Sequence, residues 1–147
     1  MATPLVRDSG SVITVTGANA IASAAYSNSA DVMRIQLSAL GANYLMADFR
    51  LSFTYGTAPV AGSIQLVQVP RDFSGNQGFT PATTLLGAQI YTAGPLPQAS
   101  NTVKAFIFSW NAVPLTYDQD FWLYNNATGQ SIVSGYTLTA MPWSPGT

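Results

Sequence analysis

Alternation of hydrophobic and polar positions dominates the chain, and it is clearest from Asp48 to Tyr55. On this segment every second residue is aromatic or aliphatic, and the residues between them are Asp, Arg, Ser and Thr. Because successive side chains of a strand point to opposite faces, the pattern predicts a half-buried β-strand. Its polar face places Asp48 beside Arg50, which predicts an exposed ion pair of little energetic weight.

Further segments with the same period are separated by stretches rich in Gly, Pro and Asn. The predicted strands run from Ser11 to Gly17, Asp31 to Ser38, Asp48 to Tyr55, Ile64 to Val69, Ala88 to Thr92, Thr102 to Trp110, Asp120 to Tyr124 and Ser131 to Ala140. About eight short strands with such turns predict an all-β protein. We expect an antiparallel β-sandwich, more specifically a jelly roll, formed by residues 1–147 as one domain with short extended N- and C-terminal segments.

Three segments are less regular. Ala18 to Ala25 is compatible with a short helix or a loop, and Asn125 to Gln130 favours a hairpin loop because its residues tolerate positive φ. Thr102 to Trp110 is apolar on both faces near its middle. This predicts either a central strand between two layers or a strand that a neighbouring subunit covers.

The composition bears on function more than any motif does. The chain has no His, no Cys and no Glu, and its charged residues are five Lys or Arg and six Asp. Most acid/base, nucleophilic and metal chemistry is built from the missing residue types. We therefore expect a protein that is not an enzyme, with no catalytic residues, no cofactor and no metal site.

The low charge also narrows the possible partners. A formal net charge of -1 provides little repulsion between copies, so we expect the protein to act within an assembly. Its five basic residues are scattered and form no stripe for phosphates, which argues against nucleic acid as a partner. No apolar stretch approaches the length of a membrane span, so a membrane partner is not expected either.

Three groups of residues were weighed as chemical sites. Asp118 and Asp120 would share a strand face, but a polar turn is favoured over a catalytic carboxylate pair. The segment from Arg71 to Gly78 has oxygen-bearing side chains and glycines but too few carboxylates for a calcium loop, so it is interpreted as a surface loop. Asn126 to Thr128 matches the N-glycosylation pattern, although a structural turn is favoured there.

The aromatic residues lie mostly at alternating strand positions, where they serve a core, and Trp143 differs. It stands between two prolines after the last predicted strand, which suggests a stiff apolar segment that folds onto its own domain or docks on a neighbouring subunit. We expect removal of residues 141–147 to weaken assembly and leave the β fold intact. The predicted interface residues are Leu5, Val6, Met141, Pro142 and Trp143.

The chain resembles virion structural proteins of tailed bacteriophages, above all the small capsid decoration or cement proteins. The resemblance lies in strands rich in Thr, Ser, Ala and Gly, a Met-Ala-Thr-Pro start, the size and the scarcity of titratable groups. It implies a jelly-roll or related sandwich that studs the outer capsid surface as a trimer. A jelly-roll protein that itself forms the shell often has a basic arm, whereas the first ten residues have one Arg and one Asp.

Two functions follow as hypotheses. In the first, the protein decorates and stabilises a bacteriophage capsid by binding between major capsid protein subunits, as a homo-oligomer, probably of three copies, on the virion surface after synthesis in the host cytoplasm. In the second, it is a lectin-like, carbohydrate-binding β-sandwich on a virion or extracellular assembly, in which exposed aromatic side chains stack on sugars.

Overall fold

The computed structural model describes residues 7–41, 44–59, 61–71, 88–94, 103–115 and 117–146, and it is built almost entirely from strands. These are β1 (Arg7–Ser9), β2 (Ile13–Thr16), β3 (Ala25–Tyr26), β4 (Met33–Ile35), β5 (Met46–Thr54), β6 (Ser63–Pro70), β7 (Gln89–Ala93), β8 (Ala105–Pro114), β9 (Gln119–Asn126) and β10 (Thr137–Pro145). Two short 3₁₀ helices, Ser29–Asp31 and Leu37–Leu40, flank β4.

The strands form two antiparallel sheets. The first sheet has the order β1-β10-β5-β8, and β2 pairs with β10 on the same side as β1. The second sheet has the order β3-β9-β6-β7, and β4 pairs with β9 beside β3. When β1 with β2, and β3 with β4, are each taken as one interrupted strand, eight strand positions remain, in the order of a jelly roll. The predicted fold class is confirmed.

The core fills the space between the sheets. Phe49 of the first sheet and Phe121 of the second are buried with ring centroids 4.4 Å apart. Residues from both inner faces complete this cluster, among them Leu51, Phe53, Leu66, Leu123 and Leu138. Such aromatic and aliphatic burial is the main source of stability in a chain without disulfides. A second, smaller cluster of Val67, Val69 and Trp122 lies on the other face of the second sheet.

Several predicted elements differ in extent. The strand predicted from Asp31 to Ser38 is reduced to Met33–Ile35, because hydrogen bonds to distant groups take over both of its ends. Asp31 accepts from the backbone N–H of Ala18, and Asp118 accepts from that of Leu37. The segment from 18 to 25 contains no helix, and Ile21 instead forms a bridge with Ile132.

The loop after β9 is not a hairpin, because β9 and β10 belong to different sheets. The expected positive φ angles do occur there, at Ala127 (52°) and Gly129 (74°). Asn125 holds this connection by donating to the carbonyl oxygens of Ile21 and Gln130 at 2.9 and 2.8 Å. Its Oδ1 accepts from the hydroxyl of Tyr55 at 2.9 Å, so the loop is fixed to both sheets.

Candidate interaction surface

The structure places the last three predicted interface residues within β10, in the interior of the first sheet, with β5 on one side and β1 and β2 on the other. Leu5 and Val6 lie outside the described residues. Met141 and Trp143 point outward and are partly exposed, whereas Pro142 between them is buried on the core side. The expectation that the last strand ends at Ala140 is wrong, because β10 continues to Pro145. Whether Met141 and Trp143 contact another subunit stays a prediction.

Trp143 has several partners within its own chain. Its indole Nε1–H donates to Oδ1 of Asp48 at 3.0 Å. The guanidinium of Arg7 lies 3.9 Å from the ring centroid, in cation–π contact. The alternative in which Trp143 packs on its own domain therefore describes the structure.

Asp48 ties four strands of the first sheet together at this end. It lies on β5 and accepts from Trp143 on β10, from the backbone N–H of Ala112 on β8 at 2.8 Å, and from Arg7 on β1 at 2.8 Å. Ala112, with a φ of 54°, lies in a β-bulge. Its N–H is therefore not used in strand pairing and can donate to a side chain. Burial alone would raise the pKa of Asp48, but these hydrogen bonds and the Arg7 charge outweigh it and lower that pKa.

Pro142 explains why β1 and β2 are separate strands. It has no N–H for a ladder bond, and only its carbonyl oxygen is used on this side, where it accepts from the N–H of Gly10 at 2.8 Å. The residues between β1 and β2, from 10 to 12, lie opposite this break. A Cβ on Gly10 would stand 2.8 Å from the ring of Tyr44, so the close approach of this segment requires glycine.

The outer face of the first sheet presents hydroxyl groups and almost no charge. We call it the hydroxyl face, and its residues are Thr14, Thr16, Arg50, Ser52, Thr54, Ser109, Thr137 and Thr139. They stand in register across the four strands, for example Thr14 beside Thr139, Thr139 beside Arg50 and Arg50 beside Ser109. One charged side chain, that of Arg50, stands among these residues.

The predicted ion pair between Asp48 and Arg50 is wrong. The two residues share a face, but Asp48 is already bonded to Arg7, Trp143 and Ala112. Within the described part of the chain the side chain of Arg50 is exposed and has no hydrogen bond or ion pair. Sequence reasoning missed this because Arg7 and Trp143 reach Asp48 from distant parts of the chain.

The edge strands β7 and β8 lie beside each other at one side of the sandwich and expose aliphatic side chains. Ile107 of β8 is 57% exposed, Val103 just before β8 is 43% exposed, and Ile90 of β7 is 44% exposed. Ile107 stands beside Ser52 on the outer face of the first sheet, and Ile90 stands beside Val67 on the outer face of the second. We call these three exposed residues, which flank this side of the sandwich, the apolar edge. Among the residues that the structure describes, β8 is the last strand of the first sheet, so the expectation that it is a central strand is wrong. Its coverage by a neighbouring subunit stays a prediction.

The residues weighed as chemical sites have structural partners. Asp120 is fully buried and accepts two hydrogen bonds from Arg71, at 2.9 Å to Oδ1 and 2.7 Å to Oδ2, and a longer one from Arg34 at 3.3 Å. Asp118 accepts from the N–H of Leu37 at 2.9 Å. These two carboxylates therefore hold loops and cations in place and do not face a common cleft as a catalytic pair.

The other two candidate sites are the segment weighed as a calcium loop and the glycosylation pattern. Of the segment from Arg71 to Gly78, all but Arg71 lies outside the described residues. Thr128 of the glycosylation pattern is buried, and its hydroxyl donates to Oδ1 of Asn125 at 2.7 Å, as a structural turn requires. Among the described residues, no three His, Cys, Asp or Glu side chains form a group able to hold a metal ion. No helix in the same part of the chain is long and apolar enough to cross a membrane.

Asp31 and Tyr136 form a buried polar pair near the start of β10. The Asp31 carboxylate accepts from the N–H groups of Ala18 and Asn19 and from the Asn19 side chain, each at 3.0 Å. Burial opposes its ionisation, but these hydrogen bonds prevail and lower the pKa of Asp31. Burial first, and then the charge of Asp31, raise the pKa of the Tyr136 hydroxyl above its usual range.

Comparison with protein families finds no family model that matches the chain. No curated protein matches it either. Among solved structures, a chain of turnip yellow mosaic virus is similar, with a TM-score of 0.39, 15% identity, and coverage of 100% of this chain and 85% of that one.

Two other virus structures are also similar. A chain of Desmodium yellow mottle tymovirus has a TM-score of 0.32 and 14% identity, with 100% and 92% of the two chains covered. A chain of the full particle of Israeli acute paralysis virus, heated to 63 degrees, has a TM-score of 0.32 and 12% identity, with 97% and 72% covered. All these TM-scores are low, so the function is argued from the surfaces of this chain.

Proposed function

We propose that this protein is a structural component of a virus particle that decorates and stabilises a bacteriophage capsid by binding between major capsid protein subunits. The observation that carries the proposal is the hydroxyl face together with the apolar edge. Removing hydroxyl and aliphatic groups from water costs far less than removing charges, because hydroxyls find new hydrogen-bond partners and aliphatic groups gain from burial. This surface suits contact with other proteins over a broad area.

The state of the carboxylates supports a role without turnover. Asp31, Asp48, Asp118 and Asp120 each accept hydrogen bonds from backbone or side-chain groups that hold the fold together. A catalytic acid or base needs a carboxylate that is available to a substrate. Each of these four groups is instead a connection between strands or loops.

A protein that both forms an oligomer and binds a lattice needs two surfaces. The hydroxyl face covers one side of the sandwich, and the apolar edge borders it at β8, where Ile107 stands beside Ser52. We assign the first to contacts between copies, as a trimer, and the second to the capsid lattice.

Binding of the purified chain to particles made without it tests this proposal. Wild-type protein should bind to saturation, and Ile90→Arg should weaken binding at least roughly tenfold, because an arginine at the apolar edge must be desolvated without a partner. Val133→Arg is the matched control, because Val133 is exposed to a similar extent (42% against 44%) but lies outside the apolar edge. Wild-type protein that binds no particle contradicts the decoration role.

The lectin-like function has one observation in its favour. Tyr26 and Tyr124 lie side by side on the second sheet, partly exposed, with ring centroids 4.5 Å apart and planes inclined by 30°. Partly exposed aromatic rings can stack on the apolar face of a sugar. A glycan array that gives a signal for wild-type protein and none for Tyr26→Ala would favour this function, and an array without signal would exclude it for the sugars tested.

A further inference from the structure

Arg50 is the charged residue of the hydroxyl face, and it stands in the row of that face nearest to Asp48. Its neighbours across the strands are Thr139 and Ser109, and the outward residues next to it along β5 are Ser52 and Asp48. The Asp48 carboxylate is already bonded to Arg7, Trp143 and the N–H of Ala112. An arginine that is covered by another protein without an opposing anion leaves an uncompensated charge, which is strongly unfavourable. If the hydroxyl face is covered, as the proposed function requires, the partner must bring a carboxylate to Arg50.

The chain itself offers such a carboxylate. Among the described residues, Asp8 on β1 is exposed and is the one aspartate without a hydrogen bond or ion pair. The other four described aspartates are bonded within the fold, and three of them are buried or nearly so. Among the described residues, Asp8 is therefore the acidic group that a second copy can present.

Asp8 cannot reach Arg50 within one molecule. On β10, Asp8 lies opposite Ser144 and Arg50 lies opposite Thr139. Those two positions are separated by roughly 17 Å along an extended strand. A contact between Asp8 and Arg50 must join two copies.

We propose that Asp8 of one copy binds Arg50 of the next, so that the β1 edge of each subunit lies on the hydroxyl face of its neighbour. The guanidinium can hold a carboxylate through two parallel hydrogen bonds, which fixes the orientation of the contact. Because the two surfaces differ, the contact is head-to-tail, and a rotation that closes on itself gives a ring. This inference rests on the proposed assembly role and names the partner of the hydroxyl face.

Charge exchange in the full chain tests the contact. Sedimentation should show that Arg50→Glu and Asp8→Arg each weaken self-association at least roughly tenfold, because each places like charges opposite one another. The double variant should restore association towards the wild-type value. Lys104→Glu is the control, since Lys104 is an exposed cation outside the hydroxyl face and its reversal should change nothing. Circular dichroism confirms that each variant retains its strands.

The outcomes separate this inference from the proposed function. Unchanged association of Arg50→Glu, or a double variant no better than either single one, overturns the contact between Asp8 and Arg50. Loss with Arg50→Glu but not with Asp8→Arg shows another anion opposite Arg50 and also overturns it. Wild-type protein that binds particles as a monomer contradicts the inference and leaves the decoration role standing. Association that the double variant restores, together with wild-type protein that binds no particle, supports the contact between Asp8 and Arg50 and contradicts the decoration role.

Discussion

The indole N–H of Trp143 is bonded to Oδ1 of Asp48 at 3.0 Å, and the Arg7 guanidinium contacts both residues. Trp143 is on β10, Asp48 on β5 and Arg7 on β1, so one carboxylate joins strands from the two ends of the chain. A hydrogen bond to a charged acceptor is stronger than one between neutral groups. This contact makes the C-terminal segment a part of the sheet.

Trp143→Phe should lower the free energy of unfolding by about 1 kcal/mol and leave the fold unchanged. Phenylalanine keeps an aromatic ring under Arg7 but has no N–H for Asp48. Urea denaturation measures the change, and Met141→Leu, an outward residue of the same strand, serves as control with an effect within about 0.5 kcal/mol. Equal stability of wild type and Trp143→Phe would show that the hydrogen bond has no net effect.

Removal of residues 141–147 should abolish the native fold. The deletion removes the pairing of β10 with β1 and with the first three residues of β5, and it uncovers part of the core where Pro142 is buried. Far-ultraviolet circular dichroism and the solubility of the truncated chain measure the outcome. A folded, soluble truncated chain would contradict the role that the structure gives this segment.

Loss of the Asp120 charge should be among the most damaging single changes. Asp120→Asn removes the buried carboxylate that accepts two hydrogen bonds from Arg71, whose side chain is 6% exposed, and the expected loss is about 3 to 5 kcal/mol. Arg34→Gln removes the other partner, which is 54% exposed and held at 3.3 Å, and should cost under about 1 kcal/mol. Thermal unfolding of the two variants provides the comparison, and similar losses would contradict the account.

Stability should fall between pH 10 and 12. Burial raises the pKa of Tyr55 from its ordinary 10.0 to about 12, so the folded chain holds this proton more tightly than the unfolded chain does. The stability that protonated Tyr55 contributes is complete below pH 10 and is lost as the pH rises towards 12. The total loss is on the order of 2 kcal/mol. Tyr55→Phe should be less stable at neutral pH, because it loses the bond to Asn125, and should decline less steeply. If the stability of wild type and of Tyr55→Phe declined equally with pH, Tyr55 would not be the group responsible.

The fold could be predicted from the sequence because local alternation reports which face of a strand is buried. From Phe49 to Tyr55 the apolar positions are buried and the polar positions between them are exposed, as the pattern indicates. The extent of β10 could not be predicted in this way. Pro142 and Pro145 argue against a strand, and Pro142 is accommodated because β1 and β2 leave a gap beside it.

The surface was harder to predict, because it depends on contacts between distant residues. The sequence places Asp48 beside Arg50, but Arg7 and Trp143 occupy the carboxylate and leave Arg50 exposed. Likewise, Trp143 is identified from the sequence as an unusual residue, while its partner Asp48 is 95 positions away in the chain. Ile107 was expected to be covered either within the chain or by a neighbouring subunit; within the chain it is exposed, and the second alternative stays a prediction.

The position of this chain in purified particles, determined by cryo-electron microscopy, tests the central claim most directly. The account predicts copies of the β-sandwich on the outer surface of the capsid, with the apolar edge on the shell and the hydroxyl face against a neighbouring copy. Absence of the chain from purified particles would contradict the structural role altogether. A place within the continuous shell would contradict the decoration role.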